Sequence, residues 1–215
     1  MNRVNLVVLW HMHQPQYRDP ETGSYMLPWT RLHATKDYYG MVKLMEEVPN
    51  FHATFNMVPS LCMQLEEYAS GTFNEPWFTL AFKNAEELTR EDKIEMLARG
   101  FQVNHERLMT RWPRYMELHD WSRGAGGAQA LVTFRTRDWR DLQLLSQLAW
   151  MDEAWFTNDA VVSRLADKGK DFTEKDKDAL KAKEIEIMGM VLPAYREAAA
   201  RGQIEVSTTP FYHPI

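Results

Sequence analysis

Cysteine is nearly absent from this 215-residue sequence, which contains a single one, Cys62. A lone thiol cannot form a disulfide within the chain, and it fits a reducing compartment. Long apolar runs are lacking too, because the N-terminal VNLVVLW is too short for a secretory signal and far shorter than the ~20 residues that span a bilayer. These absences predict a cytoplasmic protein with no membrane association.

An excess of basic charge is also missing, since 25 Lys and Arg residues face 30 Asp and Glu residues, for a net charge of -5. A nucleic-acid-binding face held by phosphate contacts would require the opposite balance, so no nucleic-acid partner is expected. Aromatic residues, by contrast, are abundant, with eight Trp, eight Tyr and ten Phe. Most will pack in the core, but aromatic planes also stack on sugar rings, which keeps a carbohydrate ligand open.

Three short segments rich in β-branched and aromatic residues predict strands, at residues 4–10, 51–57 and 204–208. A helix is predicted between the first two, at residues 35–48, where apolar residues recur at helical spacing. The order strand, helix, strand, helix is typical of a parallel α/β sheet or barrel.

The stretch 77–201 is helical in pattern and predicts a large insertion. Thr89 is the expected N-cap of a helix that runs to Pro113, a second helix covers residues 138–156, and a third covers 173–201 with a kink or break at Pro193. Residues 124–127, GAGG, predict a loop.

The predicted organisation is therefore two βα units in residues 1–76, the helical insertion in 77–201, and a third strand with its motif in 202–215. Three strands are too few for a barrel, and an eight-stranded one typically needs ~250 residues. We accordingly expect the N-terminal part of a longer protein.

Polar residues follow each predicted strand, and the loops at the carboxyl ends of parallel strands form active sites in such folds. Those residues are His11, His13 and Gln14 after the first strand, Asn56 at the second, and Thr209, Tyr212 and His213 after the third. Their convergence predicts one site at one rim of the sheet.

The pair His11 and His13 has three interpretations. Side chains two apart on an extended segment point the same way, so the pair could ligate zinc with His213 as a third ligand. It could instead hydrogen-bond substrate hydroxyls and a reacting carboxylate, or be buried for structural reasons. Glu205 shares a strand face with Ser207, and it would point into a barrel if the opposite, apolar face packs on helices.

Two motifs in order make the sequence similar to glycoside hydrolase family 57, in its α-amylase and amylopullulanase-like branch. HMHQP near the N-terminus resembles the first family motif, and GQIEVSTTPFYHPI resembles the second. The stretch from LPWTRLHATKDYY to LEEYASG and the segment LAWMDEAWF are also similar, so that the resemblance covers essentially the whole chain.

This resemblance implies a seven-stranded (β/α) barrel, here an incomplete TIM-like one, that acts on α-glucans with retention of configuration. The family's nucleophile and general acid come from later motifs, so they are expected beyond Ile215, and the chain alone is expected to be inactive. The remainder of the barrel would be its partner, and neither a metal nor a cofactor is implied. The residues carried over as substrate-binding are His11, His13, Gln14, Glu205, Thr209 and His213, with Trp29 as a stacking platform.

Two alternatives stay open beside this N-terminal segment of a starch-, glycogen- or maltooligosaccharide-acting hydrolase or glucanotransferase. One is a zinc-dependent, polysaccharide deacetylase-like metal hydrolase, which shares the histidines at a strand end. The other is a non-catalytic carbohydrate-binding fragment. Zinc content discriminates the first, and glucan binding by a stable chain without turnover favours the second.

Overall fold

A computed structural model describes residues 4–123 and 128–212, which form a mixed α/β structure. These residues group into two compact units. The sheet unit contains the described residues up to Glu75 and from Ile185 onward, and the helical unit contains those between Pro76 and Glu184. The domain boundaries at residues 76 and 201 remain predictions.

The sheet has three parallel strands in the order β1 (Leu9–Met12), β2 (Ala53–Met57) and β3 (Ile204–Ser207). β2 and β3 lie within the predicted segments, whereas β1 begins at Leu9 rather than at residue 4 and ends at Met12 rather than at residue 10, so that His11 lies within the strand. β1 begins at Leu9 because this residue, in register with Thr54, is the first of its segment that pairs with β2. Mixed α/β structure with a parallel sheet is confirmed.

The helices of the sheet unit cover one face of this sheet. A continuous helical stretch comprises α1 (Trp29–His33), a π-helical turn (Ala34–Tyr38), α2 (Tyr39–Leu44) and a 3-10 turn (Met45–Glu47). It is followed by α3 (Pro59–Ala69), and the unit also includes the second half of a long C-terminal helix.

The apolar side chains of β2 form the core of the sheet unit. Phe55 is 1% exposed, and its ring meets that of Tyr195 edge to face with centroids 5.1 Å apart. Met12 of β1 and Ile204 of β3 are buried in the same cluster. Burial of each such side chain contributes roughly 1.5–3 kcal/mol, so this face holds the strands in place.

The helical unit surrounds one central helix, α8. Its helices are α4 (Pro76–Phe82), α5 (Arg90–Arg99), α6 (Pro113–Arg123), α7 (Ala128–Thr133), α8 (Thr136–Leu148), α9 (Glu153–Asn158), α10 (Ala160–Lys168) and the first part of α11 (Glu174–Ala200). Short 3-10 turns lie at Ala85–Glu87 and Met109–Arg111. Residues 141–148 of α8 are buried without interruption, because helices pack against it from several sides. In the described part of the chain, no helix has the length and apolar character needed to cross a membrane.

Two predicted helices are shorter than expected. Thr89 does begin α5 with a capping box, but the helix ends at Arg99, before Gly100. The side chain and carbonyl of Asn104 then organise a turn by accepting the N–H groups of Arg107 and Leu108. The helix predicted over 138–156 is broken because the Asp152 side chain accepts the N–H of Ala154 and caps α9.

α11 is continuous through Pro193, so the helix is not broken there. Its neighbours Val191 and Ala194 are buried in the sheet-unit core, and this packing outweighs the lost backbone hydrogen bond. The helix closes at Gly202, whose φ of +71° suits glycine. The N–H groups of Gly202 and Gln203 bond the carbonyls of Ala199 and Ala198, which turns the chain directly into β3.

Within the sheet unit, a buried ion pair links α1 to the chain segment after α3. Arg31 and Glu75 are 0% and 1% exposed, and Nη2 of the arginine lies 2.9 Å from Oε1 of the glutamate. The Tyr68 hydroxyl from α3 donates to Oε2 of Glu75 at 2.8 Å. A charge buried this deeply is tolerated only when it is paired and hydrogen-bonded.

We expect Arg31→Met to lower the free energy of unfolding by about 3–5 kcal/mol, because it leaves the Glu75 carboxylate buried without its cation. Urea denaturation measures this loss. The double variant Arg31→Met/Glu75→Leu should recover part of it, since both charges are then removed. Lys43→Met is the control, because its exposed pair with Glu46 is worth less than about 1 kcal/mol. If Arg31→Met and Lys43→Met lowered the free energy of unfolding equally, the stabilising role of the buried ion pair would be contradicted.

In the helical unit, we expect Asp176 to make stability dependent on acid pH. Burial opposes ionisation of this carboxyl, but hydrogen bonds from Arg164, Lys168 and Thr173 outweigh it and hold its pKa well below the usual range. The folded state therefore favours the carboxylate, and its contribution is complete above the unfolded-state pKa and is lost as the pH falls below about 4.

The measurement is urea unfolding of the wild type and of Asp176→Asn from neutral pH down to pH values below about 4. The variant should be less stable at neutral pH and should lose less stability on acidification. Asp178→Asn, at an exposed position of the same helix, is the control. Parallel pH profiles for the wild type and Asp176→Asn would refute the expectation.

Candidate functional site

A row of polar side chains crosses the sheet on the face opposite the apolar core. His11 of β1 is in register with Asn56 of β2, and Asn56 is in register with Ser207 of β3. His11 Nδ1 lies 2.8 Å from Asn56 Oδ1, and Asn56 Nδ2 donates to Ser207 Oγ at 3.1 Å. Parallel pairing therefore places one polar group from each strand in a single hydrogen-bonded line.

Gln14 is fixed in the loop after β1 by three hydrogen bonds. Its Nε2 donates to the Tyr38 hydroxyl at 2.6 Å, and its Oε1 accepts the Tyr17 hydroxyl at 2.8 Å. Ser60 at the start of α3 donates to the Gln14 carbonyl at 2.9 Å. Burial raises the pKa of Tyr38 to about 12, so its hydroxyl stays protonated at neutral pH. Gln14 is thus a rigid part of the rim.

His13 lies just past β1 and is half-buried, and its ring stacks on that of His11 with centroids 5.7 Å apart and an interplanar angle of 23°. The two imidazoles therefore point to the same region, as their spacing predicts. Across residues 4–123 and 128–212, no group of three His, Cys, Asp or Glu side chains is arranged to hold a metal ion. The expected third ligand of the zinc interpretation, His213, lies outside the described residues.

Glu205 is exposed and in register with Thr54 on the side of β3 that carries Ser207. The opposite side of β3 is only partly covered, since Ile204 is 4% exposed but Val206 is 53% exposed. Thr209 follows the strand, and its Oγ1 is buried without a hydrogen-bond partner among the described residues. These positions place the second motif at the same strand ends as the first.

Trp29 is the first residue of α1 and is half-buried, and the same helical stretch contains a histidine–carboxylate pair. His33 Nδ1 lies 2.6 Å from Asp37 Oδ2, and Lys36 donates to Oδ1 at 2.8 Å. Burial opposes ionisation of Asp37, but the bonds from His33 and Lys36 outweigh it and lower its pKa. The His33 ring lies 5.9 Å from that of Tyr38, the partner of Gln14.

Sequence reasoning missed the two tyrosines that hold Gln14. Tyr17 is three residues away and Tyr38 is twenty-four, so only the folded loop and the π-helical turn bring their hydroxyls to one amide. The position of Ser207 was predictable from the sequence, because residues two apart on a strand share a face and Ser207 therefore lies on the same face as Glu205.

The face opposite the apolar core carries imidazole and hydroxyl groups, which are donors and acceptors suited to sugar hydroxyls. The buried amide of Asn56 is hydrogen-bonded between two of them. In the three described strands, Glu205 contributes the single carboxyl group on this face. The arrangement can therefore hold a polyhydroxylated ligand, and strand residues alone give it no pair of carboxyl groups.

Residues 7–215 match the sequence model of glycosyl hydrolase family 57. The match includes both histidine-containing motifs, at β1 and after β3, and runs through the helical unit between them. No curated protein and no solved structure matches the chain significantly.

We expect Tyr38→Phe to lower the free energy of unfolding by about 1–3 kcal/mol, because the Gln14 amide then loses the acceptor of its buried Nε2 group. Urea denaturation measures the change. Tyr212→Phe, at a position 72% exposed, serves as the control. A Tyr38→Phe protein as stable as the control would show that Gln14 is not held by this contact.

Proposed function

Because the chain belongs to glycosyl hydrolase family 57, a family of glycoside hydrolases, we propose that it forms the substrate-binding side of an active site for α-glucans. The ligands belong to the starch, glycogen and maltooligosaccharide class, and the reaction is hydrolysis or glucanyl transfer with retention. The proposed substrate-binding residues are His11, His13, Gln14, Glu205, Thr209 and His213, with Trp29 as a stacking platform for a sugar ring.

The observation that carries the proposal is the hydrogen-bonded row His11–Asn56–Ser207 on the sheet face opposite the apolar core. Its first member stacks against His13. In parallel α/β folds, the carboxyl ends of the strands are where ligands bind. A rigid polar row there supports a ligand rich in hydroxyl groups better than an apolar one.

We further propose that the nucleophile and the general acid are supplied by residues outside these 215. Retaining glycosidases need two carboxyl groups ~5–5.5 Å apart, and Glu205 is the single one on this face of the described strands. Within the described residues, the outer edges of β1 and β3 also pair with no further strand. Both features support an incomplete (β/α)7 barrel that other strands complete.

The test is to incubate the purified 215-residue chain with starch, pullulan and maltooligosaccharides. We expect no release of reducing sugar but measurable maltooligosaccharide binding by calorimetry. His11→Ala should weaken that binding about threefold to tenfold, since one hydrogen bond is worth about 0.5–1.5 kcal/mol. His52→Ala is the control, because His52 precedes β2 and its Nδ1 bonds the Gly202 carbonyl at the opposite end of the sheet.

Two results would contradict the proposal. Turnover by the purified chain would place a working carboxyl pair within it. About one zinc per chain, lost on His11→Ala or His13→Ala, would favour the metal-hydrolase alternative over sugar binding by these imidazoles.

A further inference from the structure

Asn56 occupies the centre of the polar row and has a different partner on each side. It lies on the central strand and is 6% exposed, whereas His11 on β1 is exposed and Ser207 on β3 is half-buried. Its Oδ1 faces the imidazole, and its Nδ2 faces the serine hydroxyl. We infer that Asn56 and Ser207 are positioning residues that fix the neutral His11 imidazole with its proton on Nδ1.

The inference follows from what each atom can do in a hydrogen bond. An amide oxygen only accepts, so His11 Nδ1, at 2.8 Å from it, has to donate. The amide nitrogen only donates, and the Ser207 hydroxyl oxygen at 3.1 Å accepts from it. A ring nitrogen that donates carries the proton, and in a neutral imidazole the other nitrogen then has the lone pair.

Register fixes these three residues as neighbours, and the orientation of the Asn56 amide decides which of them donates. The three residues are directly paired across neighbouring parallel strands, so none can move along its strand without breaking the ladder. The reverse arrangement would rotate the amide, make Ser207 the donor, and leave His11 with its proton on Nε2. The two arrangements therefore differ in one measurable property, the protonated nitrogen of His11.

The consequence is that Nε2 of His11 carries the lone pair, so that this nitrogen is an acceptor and not a donor. A sugar hydroxyl is a donor that suits it, and this step deepens the proposed function and rests on it. The tautomer is inferred only from the strand register and the contacts of Asn56, and does not depend on the proposed ligand.

The test is long-range proton–nitrogen NMR of the full 215-residue chain with ¹⁵N-labelled histidine, at a pH where imidazole is neutral. The His11 signals are identified by their loss in His11→Gln. In the wild type we expect a protonated Nδ1 and an unprotonated Nε2, the reverse of the form that free histidine favours. Asn56→Asp keeps an acceptor and should keep this pattern, whereas Asn56→Leu should lose it.

Thr54→Val is the matched control, because Thr54 lies two residues earlier on β2 and on the same face. It should leave the His11 signals unchanged. If Asn56→Leu does not fold, as judged by its backbone amide spectrum, Ser207→Ala replaces it. That variant removes the acceptor of Asn56 Nδ2, so the Nε2-protonated form should appear.

A wild-type His11 protonated on Nε2 would overturn the inference, as would an unchanged tautomer in both Asn56→Leu and Ser207→Ala. Adding maltotriose to the wild type tests the ligand separately. A shift of the His11 Nε2 resonance supports a sugar hydroxyl as its partner. An unshifted resonance beside the expected tautomer rejects the glucan ligand and leaves the positioning role standing.

Discussion

The parallel pairing of three strands is the constraint on which the rest of this structure depends. Because His11, Asn56 and Ser207 occupy matched positions, the pairing that builds the sheet also builds the polar row. A slip of one residue would turn every side chain of a strand to the other face. The apolar face resists such a slip, since it would move Phe55 out of the core. Burial on one side of the sheet thus specifies the chemistry on the other.

Rigidity of the rim comes from the helices that cover the apolar face of the sheet. The π-helical turn after α1 brings the Tyr38 hydroxyl to Gln14, and the Tyr195 hydroxyl of α11 donates to the Tyr38 carbonyl at 2.8 Å. The Arg31–Glu75 ion pair fixes α1, which directly precedes this π-helical turn. Preorganised groups bind without first losing conformational freedom. The helices therefore serve the site by immobilising the loop after β1.

Local patterns predicted the parts of this fold that depend on local chemistry. The segments at β2 and β3 were predicted from β-branched and aromatic residues, and the capping box at Thr89 was predicted from its spacing to Asp92. The end of α5 was wrong, because the turn after Gly100 depends on hydrogen bonds of Asn104 that the helical spacing of apolar residues conceals. The family motifs indicated His11 and Gln14, but their partners Asn56 and Tyr38 lie 45 and 24 residues away along the chain and become visible only in the folded chain.

In the part of the chain that the structure describes, the outer edges of β1 and β3 pair with no further strand, which has a consequence for behaviour in solution. An edge strand presents unpaired backbone groups that can template pairing with another copy. Next to β1, Leu6 and Val7 are 85% and 81% exposed, which adds an apolar surface to that edge. Sheet architecture thereby bears on solubility, because strand pairing between two copies would satisfy the same backbone groups that a further strand of the sheet would cover.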